Sequence, residues 1–276
     1  LPSQLSHEGV LGDAVVVPNG DMDHLTILMQ SHVFDFTARL LNTFERDVYY
    51  SAEAFGAYIA TPFDSCKTSE EVKLMKKKKS SRLAKCRGDR CLQAGQLNEA
   101  MQFFNSAISD SKLQSDWEWV AGAYEGQCAA LLAFHQKTPA QCSKEIRAMA
   151  EEALTYYEKR GAWPLQLELL LKMANYEAIL GSKVACSEKL LAAYTLADKY
   201  MEPQEKLPVT GAIALTFKKI GFKRKYSFYL WIASVLYRKT NNFAAADYLL
   251  KEAAKSHFLG PILERSATDS RVAVRN

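Results

Sequence analysis

The sequence predicts a mostly α-helical fold: an irregular TPR-like helical solenoid with a small α/β segment at the N-terminus. Three observations carry this prediction. Residues 83–108 place Gly88, Cys91, Gly95, Ala100, Phe104 and Ala107 at the spacing of a tetratricopeptide-type helix hairpin. Small residues at 88, 100 and 107 let two antiparallel helices approach closely, Gly95 makes the turn, and Phe104 fills the groove between the helices. The spacing recurs more loosely at Leu170, Ala174, Gly181, Leu190 and Ala193, and again at Leu230, Ser234, Tyr237, Asn241, Ala246, Leu250 and Ala253. The turn positions Gly95, Gly181 and Asn241 are unequally spaced. Neither interval is a multiple of the usual repeat of about 34 residues, so helices of unequal length are expected between the hairpins.

Residues 1–62 read as a partial α/β region. Ala14–Val17 is a β-branched run, Pro18–Asp21 a turn, and Leu25–Met29 a second candidate strand. A helix over His32–Tyr49 follows, with Val33, Phe36, Leu40, Leu41 and Phe44 on one face. Thr61–Ser69, with Pro62, marks a boundary, and the solenoid is expected over 69–260. Ser69, Glu70 and Glu71 suit a helix start, because carboxylates are favoured at the positive end of the dipole. Ala100, Phe103, Phe104, Ala107 and Ile108 form one face of the next helix. A third, about Trp117–Phe134, repeats the pattern with Val120, Ala123, Tyr124, Cys128, Leu131 and Leu132. A fourth runs from Ser143 to Lys159 and stops at Gly161 as a C-cap would. Leu165–Leu180 and Tyr226–Tyr237 are apolar almost all round, as helices sandwiched between others are, and too short to span a bilayer. Met201–Val209, with Pro203 and Pro208, reads as a loop, and 261–276 as a polar tail.

The chain has 276 residues, 48% of them apolar, which is ample for a large helical domain. Its six cysteines are scattered without a CxxC pair, and Cys86, Cys91, Cys128 and Cys186 lie inside helical patterns. Reduced cysteine of that kind is a small buried residue, so a reducing, cytoplasmic setting is favoured over a disulfide framework. Leu1 is not an initiator and no signal-peptide design follows it, so a piece of a longer chain is expected. The net charge is +4, unevenly placed. Between Lys73 and Arg90 nine basic residues, Lys76, Lys77, Lys78, Lys79 and Arg82 among them, stand against Asp89 alone. Such a patch meets an anionic membrane or acidic protein surface, or is simply solvated. Nucleic acid is disfavoured, since no aromatic is interleaved to stack on bases. A second basic cluster holds Lys218, Lys219, Lys223, Arg224 and Lys225.

Nothing in the sequence points to catalysis. The five histidines have no HxxxH or HExxH spacing, and neither a P-loop, a dinucleotide fingerprint nor a GxSxG elbow is present, so no cofactor or metal is expected. Peptide-binding co-chaperone hairpins clamp a terminal carboxylate with a lysine and an asparagine at the fifth and ninth repeat positions. Here those positions hold Lys85 and Asp89, then Leu171 and Asn175, and an acid facing a carboxylate repels it. Trp117 and Trp119 flank Glu118 after a polar Ser111–Asp116 loop, as candidates for an interface or for inward packing.

The run Gly88-Asp89-Arg90-Cys91-Leu92-Gln93-Ala94-Gly95, then Ala100 and Phe104, then Asp116-Trp117-Glu118-Trp119-Val120-Ala121-Gly122-Ala123-Tyr124-Glu125-Gly126, resembles the helical region of the large TRAPP II-specific subunit, the NIBP family of the transport protein particle complex. The similarity is dense over residues 73–135. It implies a non-catalytic subunit with an N-terminal α/β part and a solenoid, joined to other TRAPP subunits that exchange nucleotide on Rab GTPases at Golgi and endosomal membranes. Gly88, Gly95, Ala100, Phe104 and Gly122 carry over as packing positions. A free-standing adaptor that binds peptides on its concave face is the alternative.

Overall fold

The computed structural model describes residues 22–50, 59–62, 64 and 68–255. Ten helices follow one another: α1 (Met22–Tyr50), α2 (Ser69–Gln93), α3 (Leu97–Leu113), α4 (Trp117–Phe134), α5 (Ser143–Arg160), α6 (Trp163–Ile179), α7 (Lys183–Tyr200), α8 (Pro203–Lys219), α9 (Lys223–Lys239) and α10 (Phe243–Ala254). Sequence neighbours pack as hairpins, most closely α2 with α3, α4 with α5, and α8 with α9. Alternate helices also touch: α4 lies against α2, and α8 against α6. The result is a solenoid-like stack.

One turn builds most of it. At Gly95, Gly161, Gly181 and Gly221 the backbone enters the left-handed region, with φ of +73° to +82°, and Ser115 and Asn241 follow at +53° and +61°. At each site the next residue's N–H bonds to a carbonyl five residues back: Gln96 to Cys91, Asp116 to Ser111, Ala162 to Tyr157, Ser182 to Glu177, Phe222 to Phe217 and Asn242 to Tyr237. This is the Schellman closure, which satisfies carbonyls that a helix end would leave orphaned. The three turn positions expected from sequence, Gly95, Gly181 and Asn241, all adopt it. The spacing between turns is more regular than expected. Gly95 to Ser115, Gly161 to Gly181 and Gly221 to Asn241 are equal steps, and Gly181 to Gly221 is twice that step. The unit is therefore one helix with its turn, and α3 to α9 are 17 or 18 residues long rather than unequal. Two such units together span roughly 40 residues, more than the tetratricopeptide repeat of about 34.

Two segments depart from the sequence reading. Leu25–Met29 is helix, not strand, because α1 runs from Met22 to Tyr50 without a proline or glycine to interrupt it. The Ala14–Val17 strand and the polar tail at 261–276 lie outside the described residues. Met201–Val209 is not a loop either. Pro203 occupies the first turn of α8, where its missing N–H has no intrahelical partner to lose, and Glu202 with Glu205 closes a capping box. Pro208 is then carried inside the helix. The α2 start is as expected within a residue: Thr68 is the N-cap, accepting from Glu71 N–H at 3.2 Å while Glu71 accepts from Thr68 N–H at 2.9 Å.

The core falls into two clusters, and the partly buried Tyr124 and Tyr156 pack against both. Cys91, Ala100, Phe104, Ala107, Val120 and Ala123 are fully buried around α3, and Ile146, Leu190, Ile213 and Phe217 lie in the larger cluster beyond. The five described cysteines are free, four of them buried. By contrast α1 leaves Ile27, Met29, Val33, Phe34 and Phe36 more than half exposed, including two residues of the face expected to be buried. Among the described residues no helix is long and apolar enough to cross a membrane.

Candidate interaction groove

Phe104 is the centre of the first hairpin. Its ring lies against the backbones of two neighbouring helices, so close that a Cβ at Gly88 would sit 2.6 Å from its Cε1 and one at Gly126 2.5 Å from Cε1 and Cζ. A side chain at either position would force the ring to shift. Gly122, expected as a packing position, is different: a Cβ there meets Lys85 Cε at 3.5 Å and Tyr157 Oη at 3.9 Å, both ordinary contacts. It lines open space, and Gly126 is the packing glycine that the sequence reading did not single out.

Beside this core the basic run divides. On a helix, consecutive side chains point about 100° apart, so four lysines in a row cannot share a face. Lys76 and Lys77 are exposed, Lys79 is half-buried, and Lys78 and Arg82 point inward with Met75. Arg82 is 1% exposed. Its guanidinium donates to Asp116 (Nε to Oδ2, 2.7 Å; Nη2 to Oδ1, 2.9 Å), to Asp64 (Nη1 to Oδ2, 2.6 Å) and to the Ile59 carbonyl (2.7 Å). Lys78 adds a bond to Asp116 at 3.0 Å, and the Arg82 guanidinium carbon stands 5.1 Å from the Trp119 ring centre. Burial alone would raise the Asp64 carboxyl, but bonds from Arg82 and Thr61 and the Arg82 charge hold it down at about 2. Lys78 and Arg82 thus belong to a structural junction, not to the surface patch in which the sequence reading placed them. A buried charge is retained only where it is paired, and here it pins the 59–64 segment to α2 and the start of α4.

Next to the junction a cavity of about 370 Å³ opens between α2, α4, α5 and α6, with Trp119, Gly122 and Tyr157 in its walls. Four carboxylates face it, Asp89, Glu118, Glu125 and Glu168, against Lys85 and Lys172. Lys85 is held by Asp89 at 2.6 Å, and Lys172 bridges Glu125 (2.5 Å) and Glu168 (2.7 Å). Tyr157 Oη donates to Glu125 at 3.0 Å. Burial pushes the Asp89 carboxyl up despite Lys85, and burial together with the Asp64 charge pushes Glu118 up. A groove of this kind favours a cation or a hydrogen-bond donor. With Lys85 committed to Asp89, it cannot clamp a terminal carboxylate.

Trp119 joins the junction to the groove. Trp117 instead stacks on Tyr156 at 5.5 Å, with the Lys159 ammonium against both rings, and seals α4 to α5. No group of three or more His, Cys, Asp or Glu suited to a metal ion occurs among the described residues.

Residues 30–146, which contain the junction and most of the groove wall, match the family model described as Trs120/TRAPPC9, N-terminal domain. Part of this chain is homologous to the Trs120/TRAPPC9 family. It is 29% identical over 84% of its length to the trafficking protein particle complex II-specific subunit 120 homolog of Oryza sativa subsp. japonica. Against the homolog of Arabidopsis thaliana it is 28% identical over 99% of its length, and against trafficking protein particle complex subunit 9 of Homo sapiens 22% over 58%. The chain spans 20%, 24% and 19% of those relatives, about a fifth to a quarter of each. By name, these relatives belong to trafficking protein particle complexes.

Proposed function

We propose that the chain is an N-terminal portion of a non-catalytic scaffold subunit in a multisubunit complex that tethers vesicles and promotes nucleotide exchange on a Rab GTPase at Golgi and endosomal membranes. The observation that carries the reading is the match of residues 30–146, the span that holds the Arg82 junction, to the Trs120/TRAPPC9 N-terminal domain. Its direct partners would be other TRAPP subunits, and the Rab would be reached through them. The division of the chain at residues 62–69, with a solenoid over 69–260, belongs to the same reading.

The architecture suits such work. A stack of near-identical helix units offers a long surface on which several partners sit at once. The exposed apolar side chains of α1, with Met29, Val33 and Phe36 on one side and Ile27 and Phe34 on the other, are the kind of surface that neighbouring subunits cover. Lys76 and Lys77 add a small cationic surface that would orient the assembly against an anionic membrane.

The test is co-elution of the purified chain with reconstituted TRAPP core subunits, with mass determined in line. A stoichiometric complex is expected. A folded, monodisperse chain that fails to join, in a longer form as well, would refute the reading. The groove favours the second reading, an adaptor for peptides, which would bind its ligand in the absence of any core subunit.

A further inference from the structure

The second basic cluster has no part in the groove or in the Arg82 junction. Its Lys223, Arg224 and Lys225 open α9, beside the start of α7. These helices hold equivalent places in successive hairpins: Gly181 corresponds to Gly221 and Lys183 to Lys223. Between their first turns a cavity of about 600 Å³ opens, with Val184 and Ser187 on one side and Gly221, Phe222 and Lys223 on the other. Its walls are mainly apolar, yet it faces water, and Val184 is 70% exposed.

The rim is cationic. Lys183, Lys223, Arg224 and Lys225 surround it, against Glu188. Lys183 reaches across from α7 to the Gly221 turn, its ammonium 3.9 Å from where a Cβ would be. Lys225 is tied to the fold, donating to Ser187 and lying against the Phe217 and Phe222 rings. The others stand at the positive ends of two helix dipoles, where acids are favoured and cations are not. Helices α2, α3, α4, α5 and α8 each carry an acid in the first turn, whereas α7 and α9 carry none. Helices α6 and α10 also lack one, but they begin with Pro164 and with the Asn242 side-chain cap. Neither Ser182 nor Phe222 supplies a side-chain cap to α7 or α9. The cations that open α7 and α9, Lys183 and Lys223, therefore weaken the helices they begin.

We infer that this cleft docks an acidic segment of a partner protein. One large apolar side chain enters between Val184 and Phe222, while its flanking carboxylates meet Lys183, Lys223 and the two helix N-termini. Charge complementarity selects the acidic flanks, and the apolar slot selects a protein segment over a bilayer, whose headgroups need only the charge. The inference goes beyond the scaffold reading and stands without it.

The test uses the whole 276-residue chain and a fluorescein-labelled peptide, Asp-Glu-Asp-Phe-Glu-Asp, in an anisotropy titration, beside a twin with serine for phenylalanine and vesicles containing phosphatidylserine. Saturable binding that weakens with salt is expected, with roughly tenfold loss for the serine twin. The exposed substitutions Lys223→Glu and Val184→Asp should each weaken binding by roughly tenfold, with the thermal melt unchanged or raised, since each puts an acid in a first helical turn. No saturable binding up to about 1 mM would overturn the inference. So would equal binding of the twin, indifference to Val184→Asp, or Lys223-dependent binding confined to vesicles, which would make the cluster a membrane contact.

Discussion

Two glycines four residues apart on α4 should respond to the same substitution with opposite sign. At Gly126 an added methyl lies 2.5 Å from Phe104 Cε1 and Cζ and 2.9 Å from Cε2. Those distances are well inside the carbon–carbon optimum of about 3.5–4.0 Å. The ring has little room to withdraw, since it is fully buried and already lies against Gly88 on α2. Overpacking of this kind costs about 1–3 kcal/mol, and a rigid ring places it toward the top of that range. The gain in helix propensity from Gly to Ala returns up to about 1 kcal/mol, leaving Gly126→Ala about 1–2 kcal/mol less stable. At Gly122 the nearest atom is the flexible Lys85 Cε at 3.5 Å, so Gly122→Ala keeps the propensity gain and is stabilised by up to about 1 kcal/mol. The two variants should then melt about 5 °C or more apart for a protein of this size. Thermal and urea unfolding followed by circular dichroism measure this. Adding Phe104→Leu supplies the internal check: it should cost at least about 1 kcal/mol less in the Gly126→Ala protein than in the unaltered one, because the methyl then fills space the ring vacates. A Gly126→Ala variant as stable as Gly122→Ala, or independent of Phe104, would refute the wedge.

Arg82→Met leaves Asp64 and Asp116 buried without their main partner, and should cost about 3–5 kcal/mol in urea unfolding; a loss below about 1 kcal/mol would mean the junction is dispensable. Asp64 is held at about 2 when folded against an ordinary value of 3.8, so in that interval the unfolded chain binds more protons. Its contribution is therefore full above about pH 4 and lost as pH falls toward 2, at most about 2 kcal/mol, and Asp64→Asn should flatten that part of the acid-unfolding curve. Ala100→Leu at the fully buried α3 position should cost about 1–3 kcal/mol, and an unchanged melt would show that the hairpin packs otherwise. Reversing the exposed pair, Lys76→Glu with Lys77→Glu, should weaken recruitment to anionic liposomes at low salt, while equal recruitment would make these lysines merely solvated.

Local structure was legible wherever one residue type has one conformational use. Gly95, Gly161 and Gly181 announced left-handed turns, and the apolar spacing of α4 gave its ends at Trp117 and Phe134. The one-helix period was hidden because the same closure is made by serine at 115, while Met201, at the corresponding place, is extended. The step from Gly95 to Gly181 is not a whole number of periods, because the connection between Phe134 and Ser143 is longer than the other turns, and this concealed the period as well. Leu25–Met29 misled because a short apolar-rich run fits either period, and only the uninterrupted length around it decides. The site was less legible than the fold. Arg82 finds its partners far along the chain, at Asp64 and Asp116, which no local pattern reveals. One signal was available: Met75, Lys78 and Arg82 share a helical face, so a buried methionine foretold that two of the basic residues point inward.

The placement of charge separates what holds this protein together from what it offers to others. Arg82, Asp64 and Asp116 are buried and saturated with partners, a set whose removal is costly and which is closed to any ligand. In the groove beside it, burial pushes the carboxyls of Asp89 and Glu118 upward by more than their cationic neighbours pull them down. Because a raised folded value means stability present at low pH and lost as pH rises through it, Glu118 weakens the folded chain at neutral pH. Glu118→Gln should therefore leave the melting temperature unchanged or raise it, and it should weaken any partner that brings a cation to the groove. A lower melting temperature would instead make Glu118 a structural partner of Arg160, 3.9 Å away, and would remove the argument that this surface awaits a ligand.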